Sequence, residues 1–232
     1  MSNYLNAYKK AFPYTIPVLT GYLFIGIAFG VMFEEKGYSV WWAAFMSLIT
    51  LAGAGQYLAV NFFIPGFSLV QIAFMTLMVN IRHIFYGLSL FDKFHGIGKK
   101  RWYMIYTLTD ETYSLLCTTK IPEDIDKGKF LFAIASLDHS YWVIGTAIGA
   151  LAGTYIPFNS QGIDFAMTAL FVVIFVEQAL EKRNRLPQAI GVACAGIALI
   201  IFGANNFVLP AMLAIITFLL LGNKKIRLEE EK

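Results

Sequence analysis

The stretch AFMTLMVNIRHIFYGLSLF, residues 73–91, places Asn80, Arg82 and His83 in the middle of an otherwise apolar run. A helix of a soluble protein would turn such residues towards water, but here apolar sequence flanks them on both sides. A charged side chain at the centre of a bilayer costs at least about 2.5–3.5 kcal/mol, so such residues usually face a cavity or one another. The stretch therefore indicates a membrane helix with a polar interior face.

The composition of the whole chain agrees with a membrane protein. The 232 residues are 58% hydrophobic and 14% charged, whereas soluble domains carry about 25% charged residues. Apolar segments of roughly membrane-spanning length cover residues 14–33, 41–63, 67–91, 102–119, 130–155, 163–180, 186–203 and 207–221. We therefore predict an all-α, polytopic integral membrane protein with seven or eight transmembrane segments. Residues 1–232 form a single transmembrane domain that ends in a charged cytoplasmic tail, 222–232.

Several functional classes lack their motifs. The chain contains no GxxxxGK[ST], HExxH or GxSxG sequence, which excludes the usual signatures of P-loop ATPases, zinc proteases and serine hydrolases. Cys117 and Cys194 lie inside apolar runs, without the spacing of metal ligands. Apart from Arg82, the Lys and Arg residues lie towards segment ends, where anionic lipid headgroups account for them. We expect no enzymatic activity, no metal or other cofactor, and no nucleic-acid partner.

The charges of the connecting loops predict the orientation in the membrane. Lys and Arg gather at 92–101, 120–129, 181–185 and 224–227, whereas the connections 64–67, 156–162 and 203–206 have none. Positively charged loops face the cytoplasm. The first two basic loops flank segment 102–119, so they share a side only if this segment does not cross. This conflict predicts a re-entrant or broken element at 102–119, a structure that is tolerated where it lines a cavity.

Two crossing schemes remain open. In the first scheme seven segments cross, the C-terminus is cytoplasmic and the N-terminus lies outside, despite Lys9 and Lys10. In the second scheme eight segments cross, both termini are cytoplasmic and one basic loop is misplaced. We favour the first scheme, because it keeps all the basic loops on one side.

Two stretches of the sequence resemble each other. PVLTGYLFIGIA (17–28) and PQAIGVACAGIA (187–198) share Pro, Gly, Gly, Ile and Ala at matching offsets. Transporters often contain structural repeats with the binding site at the repeat interface. The seven-crossing scheme runs the two stretches in opposite directions, as an inverted repeat requires. Chance similarity is the alternative, since Gly and Ala are common in membrane helices.

Glycines at a four-residue spacing predict close helix packing. Gly26 and Gly30 form one such pair, and Gly145, Gly149 and Gly153 repeat the spacing. Small residues at this interval let two helix backbones approach each other. We assign these glycines to packing rather than to a binding site.

The polar centre of residues 73–91 is the first candidate site. Asn80 and His83 are three residues apart and share a helix face. The planar guanidinium of Arg82 suits a carboxylate, and histidine exchanges protons near neutral pH. The pattern indicates an anion anchor beside a proton-sensitive group. The alternative is a structural salt bridge between Arg82 and a buried acid.

Two further pairs of ionisable residues lie in apolar segments. Asp110 and Glu111 are adjacent in TLTDETY, 107–113, and Asp138 and His139 are adjacent in SLDHSYW, 136–142. In the first pair, burial and a neighbouring like charge both favour the protonated carboxyl, which makes at least one of these acids a candidate proton carrier. The second pair is a candidate proton relay. The alternatives are pairing with Arg82 or with Lys and Arg at the interface for the first pair, and a position near the headgroups for the second.

The stretch AGAGQY, 52–57, is a candidate helix break. Gly53 and Gly55 bracket Ala54, and Gln56 follows. An unwound turn at this depth exposes backbone N–H and C=O groups to a substrate. The alternative is a tightly packed helix with one hydrogen-bonded glutamine.

The elements GAGQ, NIRH followed by YGLSL, TDET and GIDF occur in this order along the chain. With these motifs the chain resembles the AzlC family, the large subunits of branched-chain amino acid exporters, from about Phe12 to about Leu221. The resemblance implies a secondary transporter of the bacterial inner membrane that exports Leu, Ile, Val and sometimes Met. It also implies coupling to the proton motive force and a small partner of about four helices, AzlD.

A zwitterionic amino acid needs a cation for its carboxylate and acceptors for its ammonium group. We predict substrate contacts from Asn80, Arg82, Gly53, Gly55, Gln56, Asp110 and Glu111, and proton coupling through His83, Asp110, Glu111, Asp138 and His139. The alternative function is a non-transporting membrane scaffold or sensor, or a channel subunit, whose polar residues bind a partner helix.

Overall fold

The computed structural model describes residues 2–63, 66–155, 185–203, 207 and 210–219, with isolated residues between 165 and 180. The predicted tail, 222–232, and most of the predicted segment 163–180 lie outside the described residues. Across the described ranges the regular structure is helical, with no strand. The predicted all-α fold class is therefore confirmed.

The helices are α1 (Ser2–Glu35), α2 (Val40–Thr50), α3 (Gly53–Phe62), α4 (Leu69–Asn80), α5 (Arg82–Ser89), α6 (Lys100–Tyr106), α7 (Asp110–Thr118), α8 (Lys127–Tyr155), α9 (Arg185–Phe202) and α10 (Pro210–Leu219). In the part of the chain that the structure describes, four stretches are long and apolar enough to cross a bilayer, namely α1, α4 with α5, α8 and α9. Helix α1 begins far before the predicted residue 14, because the helix continues through Pro13 and Pro17. Prolines are tolerated in membrane helices, where neighbouring groups satisfy the freed carbonyls.

Two predicted segments are interrupted, as the sequence suggested. Segment 41–63 forms α2 and α3, separated by Leu51 and Ala52, and Leu51 has a positive φ of 25°. Segment 102–119 forms α6 and α7, separated by residues 107–109. The predicted broken element at 102–119 is therefore confirmed. A third, shorter interruption at Ile81 separates α4 from α5.

The chain forms two compact units. The first contains Met1–Gly66 and Val79–Met167, and the second contains Phe67–Met78 and Thr168–Lys232. In the second unit Gln188 on α9 donates a hydrogen bond to the carbonyl of Phe175, over 3.0 Å. All the residues predicted to form the functional site lie in the first unit.

The first unit is built on direct backbone contact between α1 and α8. A Cβ added to Gly30 would lie 2.2 Å from the carbonyl oxygen of Thr146, and one added to Gly149 would lie 2.1 Å from that of Ile27. Real Cβ atoms do not approach a carbonyl this closely, so only glycine fits at either position. The predicted role of these glycines in close packing is confirmed.

One end of the first unit brings the N-terminus to two basic loops. The Lys10 Nζ lies 2.6 Å from Asp124 Oδ2, and the hydrogen bond from this ammonium lowers the pKa of the Asp124 carboxyl. The Nζ atoms of Lys100 and Lys129 lie 5.0 and 5.3 Å from the centre of the Tyr4 ring. The start of α1, the start of α6 and the 120–129 connection therefore share one end.

These contacts bear on the two crossing schemes, whose number of crossings stays a prediction. The seven-crossing scheme places the N-terminus opposite the 92–101 and 120–129 loops, and the eight-crossing scheme places these loops on opposite sides. Both schemes treated segment 41–63 as a simple crossing, although it is broken at Leu51 and Ala52. The prediction that these two loops lie on the same side, by contrast, agrees with the structure. Lys100 and Lys129 both lie over Tyr4, and Lys10 pairs with Asp124.

Candidate functional site

An ion pair joins the starts of α5 and α7. Arg82 Nη1 lies 2.5 Å from Asp110 Oδ2, and the hydroxyl of Tyr86 donates to Asp110 Oδ1 over 2.5 Å. The side chains of Arg82 and Asp110 are 28% and 30% exposed, so the pair is partly accessible. Arg82 Nε is buried and has no hydrogen-bond partner in the described part of the chain. The guanidinium thus keeps a donor that a bound carboxylate could use.

The local sequence explains the position of the acids in this pair. Thr109 caps α7, and its hydroxyl accepts a hydrogen bond from the Thr112 backbone N–H over 3.2 Å. Asp110 and Glu111 therefore occupy the first turn of α7. The N-terminal end of a helix carries partial positive charge and stabilises carboxylates. The motif TDET combines a helix cap with two acids held by the helix end.

The interruptions of the helices lie near one another. The Tyr106 hydroxyl, at the end of α6, donates to the carbonyl groups of Leu48 and Ile49 at the end of α2. A Cβ on Gly55 would lie 2.9 Å from the Asn80 side-chain nitrogen. Asn80 ends α4 immediately before the Ile81 interruption. Backbone groups freed by broken helices can serve a polar substrate, and these contacts gather such groups around the ion pair.

Two other predicted residues adjoin this centre. The His83 Nδ1 lies 3.1 Å from the carbonyl oxygen of Asn80, and its ring meets the Tyr86 ring edge-on at 5.8 Å. Gly53 opens α3, and a Cβ at Gly53 would meet nothing within 4 Å among the described residues. Gly53 therefore leaves free space at the start of this helix.

Gln56 has a different environment from the ion pair. Its side chain is fully buried, accepts a hydrogen bond from the Trp142 indole over 2.8 Å and donates to Ser47 Oγ over 3.0 Å. Ser47 in turn donates to Thr146 over 2.9 Å. Gln56 thus ties α3 to α2 and α8 in this conformation, which matches the hydrogen-bonded alternative. Its contact with substrate stays a prediction.

The remaining acids and His139 lie on α7 and α8. Glu111 Oε2 lies 2.8 Å from the Tyr22 hydroxyl, and Asp138 Oδ2 lies 2.8 Å from the Thr112 hydroxyl. Asp138 is fully buried, and its Oδ1 has no hydrogen-bond partner within the described ranges. His139 Nδ1 lies 2.9 Å from the hydroxyl of Tyr103, on α6. Asp138 and His139 therefore bond to different helices.

The predicted residues fall into three groups. Arg82 and Asp110 form the ion pair, Asn80 and His83 adjoin it, Gly55 lies against Asn80, and Gly53 opens α3 two residues earlier. Glu111 and Asp138 are linked to hydroxyl groups beside it, whereas Gln56 and His139 hold other helix contacts. Among the described residues, no group of three or more His, Cys, Asp or Glu could hold a metal ion.

Known proteins resemble this chain over most of its length. The profile described as AzlC protein matches residues 17–156, which include all the candidate residues above. The branched-chain amino acid transport protein AzlC of Bacillus subtilis is 43% identical over 97% of this chain and 88% of its own length. The chain belongs to the AzlC family. It is accordingly a multi-pass membrane protein, as the sequence predicted.

Further relatives carry less specific names. An uncharacterized membrane protein of Haemophilus influenzae is 41% identical over 90% of this AzlC-family chain and 86% of its own length. The inner membrane protein YgaZ of Escherichia coli is 28% identical over 80% of the chain and 79% of its own length. No solved structure matches the chain.

The sequence did not single out several residues that form hydrogen bonds to the predicted acids of this AzlC-family protein. Tyr86 bonds Asp110, Tyr22 bonds Glu111, and Thr112 bonds Asp138. Tyrosine is common at membrane interfaces and threonine within membrane helices, so neither residue type stands out in an apolar run. Their partners are distant in sequence, and only the fold brings them together.

Proposed function

We propose that this chain is the large subunit of a secondary transporter that exports branched-chain amino acids: Leu, Ile and Val, with Met as a further substrate. The observation that carries the proposal is the partly accessible ion pair between Arg82 and Asp110, set where broken helices meet. The name of the Bacillus subtilis relative supplies the substrate class. Transport, not catalysis, is the function of the site.

The ion pair suits a zwitterion. An amino acid carries a carboxylate that can replace Asp110 at Arg82 and an ammonium that can replace Arg82 at Asp110. Insertion between the two side chains therefore leaves no buried charge unpaired, which is the main cost of opening such a pair. The unpartnered Nε of Arg82 allows a two-pronged contact to the carboxylate. Asn80, Gly53, Gly55, Gln56 and Glu111 are the further substrate contacts of this proposal.

Proton entry drives substrate exit in this mechanism. The candidate proton carriers are His83, Asp110, Glu111, Asp138 and His139. The ammonium of the substrate and a proton compete for carboxylates of the same region, because each neutralises the same charge. Alternate binding of substrate and proton at these carboxylates is the simplest mechanism that couples proton entry to substrate exit.

The contacts at one end of the first unit suggest a topology for this protein in the bacterial inner membrane. If the broken segments 41–63 and 102–119 both enter and leave on one side, six segments cross. The N-terminus, all the basic loops and the C-terminus are then cytoplasmic, in full agreement with the positive-inside rule.

The topology predicts the labelling of single cysteines introduced in place of Lys10, Asp124 and Lys99. All three positions are expected to react with a membrane-impermeant maleimide only after the cytoplasmic face is exposed, and a cysteine at Gly66 is expected to react from outside. Whole cells and inverted vesicles provide the two accessible faces. Reaction of position 10 in whole cells would contradict the six-crossing scheme.

We further propose that a small, four-helix membrane subunit like AzlD completes the transporter. The decisive experiment uses vesicles loaded with labelled leucine that contain this chain alone or this chain with its small partner. An acidic exterior is expected to accelerate leucine exit when both subunits are present, and a proton ionophore is expected to remove the acceleration. Exit equal to that of protein-free vesicles in both preparations would refute the transport function.

A further inference from the structure

Five side chains from three helices form one unbroken chain of hydrogen bonds. Glu111 Oε2 lies 2.8 Å from the Tyr22 hydroxyl, which lies 2.5 Å from Thr109 Oγ1. Thr109 Oγ1 lies 3.0 Å from Thr112 Oγ1, which lies 2.8 Å from Asp138 Oδ2. All the separations are hydrogen-bond distances. The chain therefore connects the carboxyl groups of α7 and α8 through three hydroxyls, the first of them on α1.

The number of available hydrogens determines how many protons the two carboxyl groups of this hydrogen-bond chain hold. Four gaps separate the five groups, and the hydroxyls of Tyr22, Thr109 and Thr112 supply one hydrogen each. The fourth hydrogen has to come from a carboxyl group. Two ionised carboxylates would leave one gap without a hydrogen, and two protonated carboxyls would crowd two hydrogens into one gap. We infer that Glu111 and Asp138 share a single proton, which moves between them along this chain.

The two ends of the chain differ in accessibility. Glu111 is exposed, whereas Asp138 and Thr112 have no exposed surface and Tyr22 is only 4% exposed. Among the residues that the structure describes, Thr112 is the only hydrogen-bond partner of the Asp138 carboxyl. Glu111 is therefore the point of exchange with the surroundings, and Asp138 is the buried store of the proton.

The transfer leaves every hydroxyl unchanged. Glu111 gives its proton to the Tyr22 oxygen, while the Tyr22 hydrogen passes to Thr109, that of Thr109 to Thr112, and that of Thr112 to Asp138. On each of the three hydroxyl oxygens, the O–H bond that breaks is replaced by one that forms, while one O–H bond is lost at Glu111 and one is gained at Asp138. The net result is a carboxylate at Glu111 and a carboxyl group at Asp138, and the reverse shift restores the start.

The chain of hydrogen bonds begins next to the proposed substrate site. Its role in transport rests on the proposed function of that site. Asp110 is adjacent to Glu111 and pairs with Arg82. A zwitterion that separates this pair changes the charges next to Glu111, and the position of the shared proton responds. At the other end Asp138 is flanked by His139, which bonds Tyr103, and by Tyr141 three residues along α8. The chain thereby links occupancy of the ion pair to a proton deep in α8.

Infrared spectroscopy of the purified protein tests the shared proton without transport. At neutral pH we expect the infrared signal of one protonated carboxyl group from Glu111 and Asp138 together. The variants Asp138→Asn and Glu111→Gln assign this signal to the two acids. After transfer to heavy water, exchange of the Asp138 carboxyl is expected to slow about tenfold or more in Tyr22→Phe and Thr112→Val. Absence of a protonated carboxyl on both acids, or unchanged exchange in both variants, would overturn the inference.

The protein offers a matched pair of control variants. Thr15 and Tyr141 also link α1 to α8 through buried hydroxyls, 2.9 Å apart, and lie outside the chain of proton transfer. Thr15→Val and Tyr141→Phe remove comparable groups and are expected to leave the exchange at Asp138 unchanged. Equal slowing in these controls would show a general loss of packing and would also overturn the inference.

Transport measurements separate this inference from the proposed function. In vesicles with a pH-sensitive dye, Tyr22→Phe and Thr112→Val are expected to lower proton movement with leucine about tenfold and to preserve leucine–leucine exchange. Loss of both activities, with normal folding, would place these residues in substrate binding and contradict the inference. If wild-type protein carried leucine without protons, the proposed coupling would fail, and the infrared result would still decide the shared proton.

Discussion

Substitution of Arg82 by alanine is expected to lower leucine transport by about 10–100-fold, because a charged hydrogen bond contributes about 1.5–3 kcal/mol. The change removes the anchor of the carboxylate and leaves Asp110 without its counter-charge. Asp110→Asn preserves the size of the side chain and removes the partner of the ammonium, with a loss of similar size. Arg82→Lys retains the charge and loses the planar fork, so its activity should lie between those of the wild type and Arg82→Ala.

The ion pair of Lys10 and Asp124 provides the matched control. It has a similar separation, 2.6 Å, but its side chains are 40% and 60% exposed at the end of the first unit. Exposed ion pairs contribute about 0–1 kcal/mol, so Lys10→Ala and Asp124→Asn should transport leucine at nearly the wild-type rate. Expression and elution profile of every variant are measured in parallel. Wild-type transport by well-folded Arg82→Ala and Asp110→Asn would contradict the proposed role of the pair.

Alanine at Gly30 or Gly149 is expected to lower the thermal unfolding temperature by about 10 °C, or to prevent folding. The added Cβ would meet a carbonyl oxygen of the facing helix at 2.2 or 2.1 Å. The helices have to separate, and such overpacking costs about 1–3 kcal/mol or more. For a chain of this size, 1 kcal/mol corresponds to about 2–4 °C. Size-exclusion chromatography of heated, detergent-solubilised protein measures the effect.

Gly21 supplies the control on the same helix. A Cβ at Gly21 would meet nothing within 4 Å in the described part of the protein. Gly21→Ala should therefore unfold at the wild-type temperature or slightly above it, since alanine favours the helix more than glycine does. Equal unfolding temperatures for Gly21→Ala, Gly30→Ala and Gly149→Ala would show that α1 and α8 do not pack as described.

The sequence carried enough information for the fold class and for the interruption at 102–119. Low charge and long apolar segments are direct requirements of the bilayer, and the basic loops on either side of 102–119 conflicted with a simple crossing. Thr109, Asp110 and Glu111 also form a helix start that sequence alone can suggest, because a threonine cap before two acids suits the helix end.

The start of α1 and the partners of the acids could not be predicted. Pro13 resembles a boundary in sequence, yet the helix continues through it because the surrounding protein satisfies the backbone. The position of the N-terminus depends on Tyr4 and Lys10 meeting loops about a hundred residues away. Periodicity reports which face of a helix is apolar, but it does not report which helix lies opposite.

In the proposed transporter, the Arg82–Asp110 pair binds both charges of an amino acid. Binding of leucine to the purified protein should be compared with that of 3-methylbutylamine, which lacks the carboxylate, and 4-methylpentanoate, which lacks the ammonium. Both analogues keep the aliphatic side chain. Each analogue is expected to bind at least about tenfold more weakly than leucine, since each leaves one side chain of the pair uncompensated. Binding of either analogue as tightly as leucine would contradict this role of the pair.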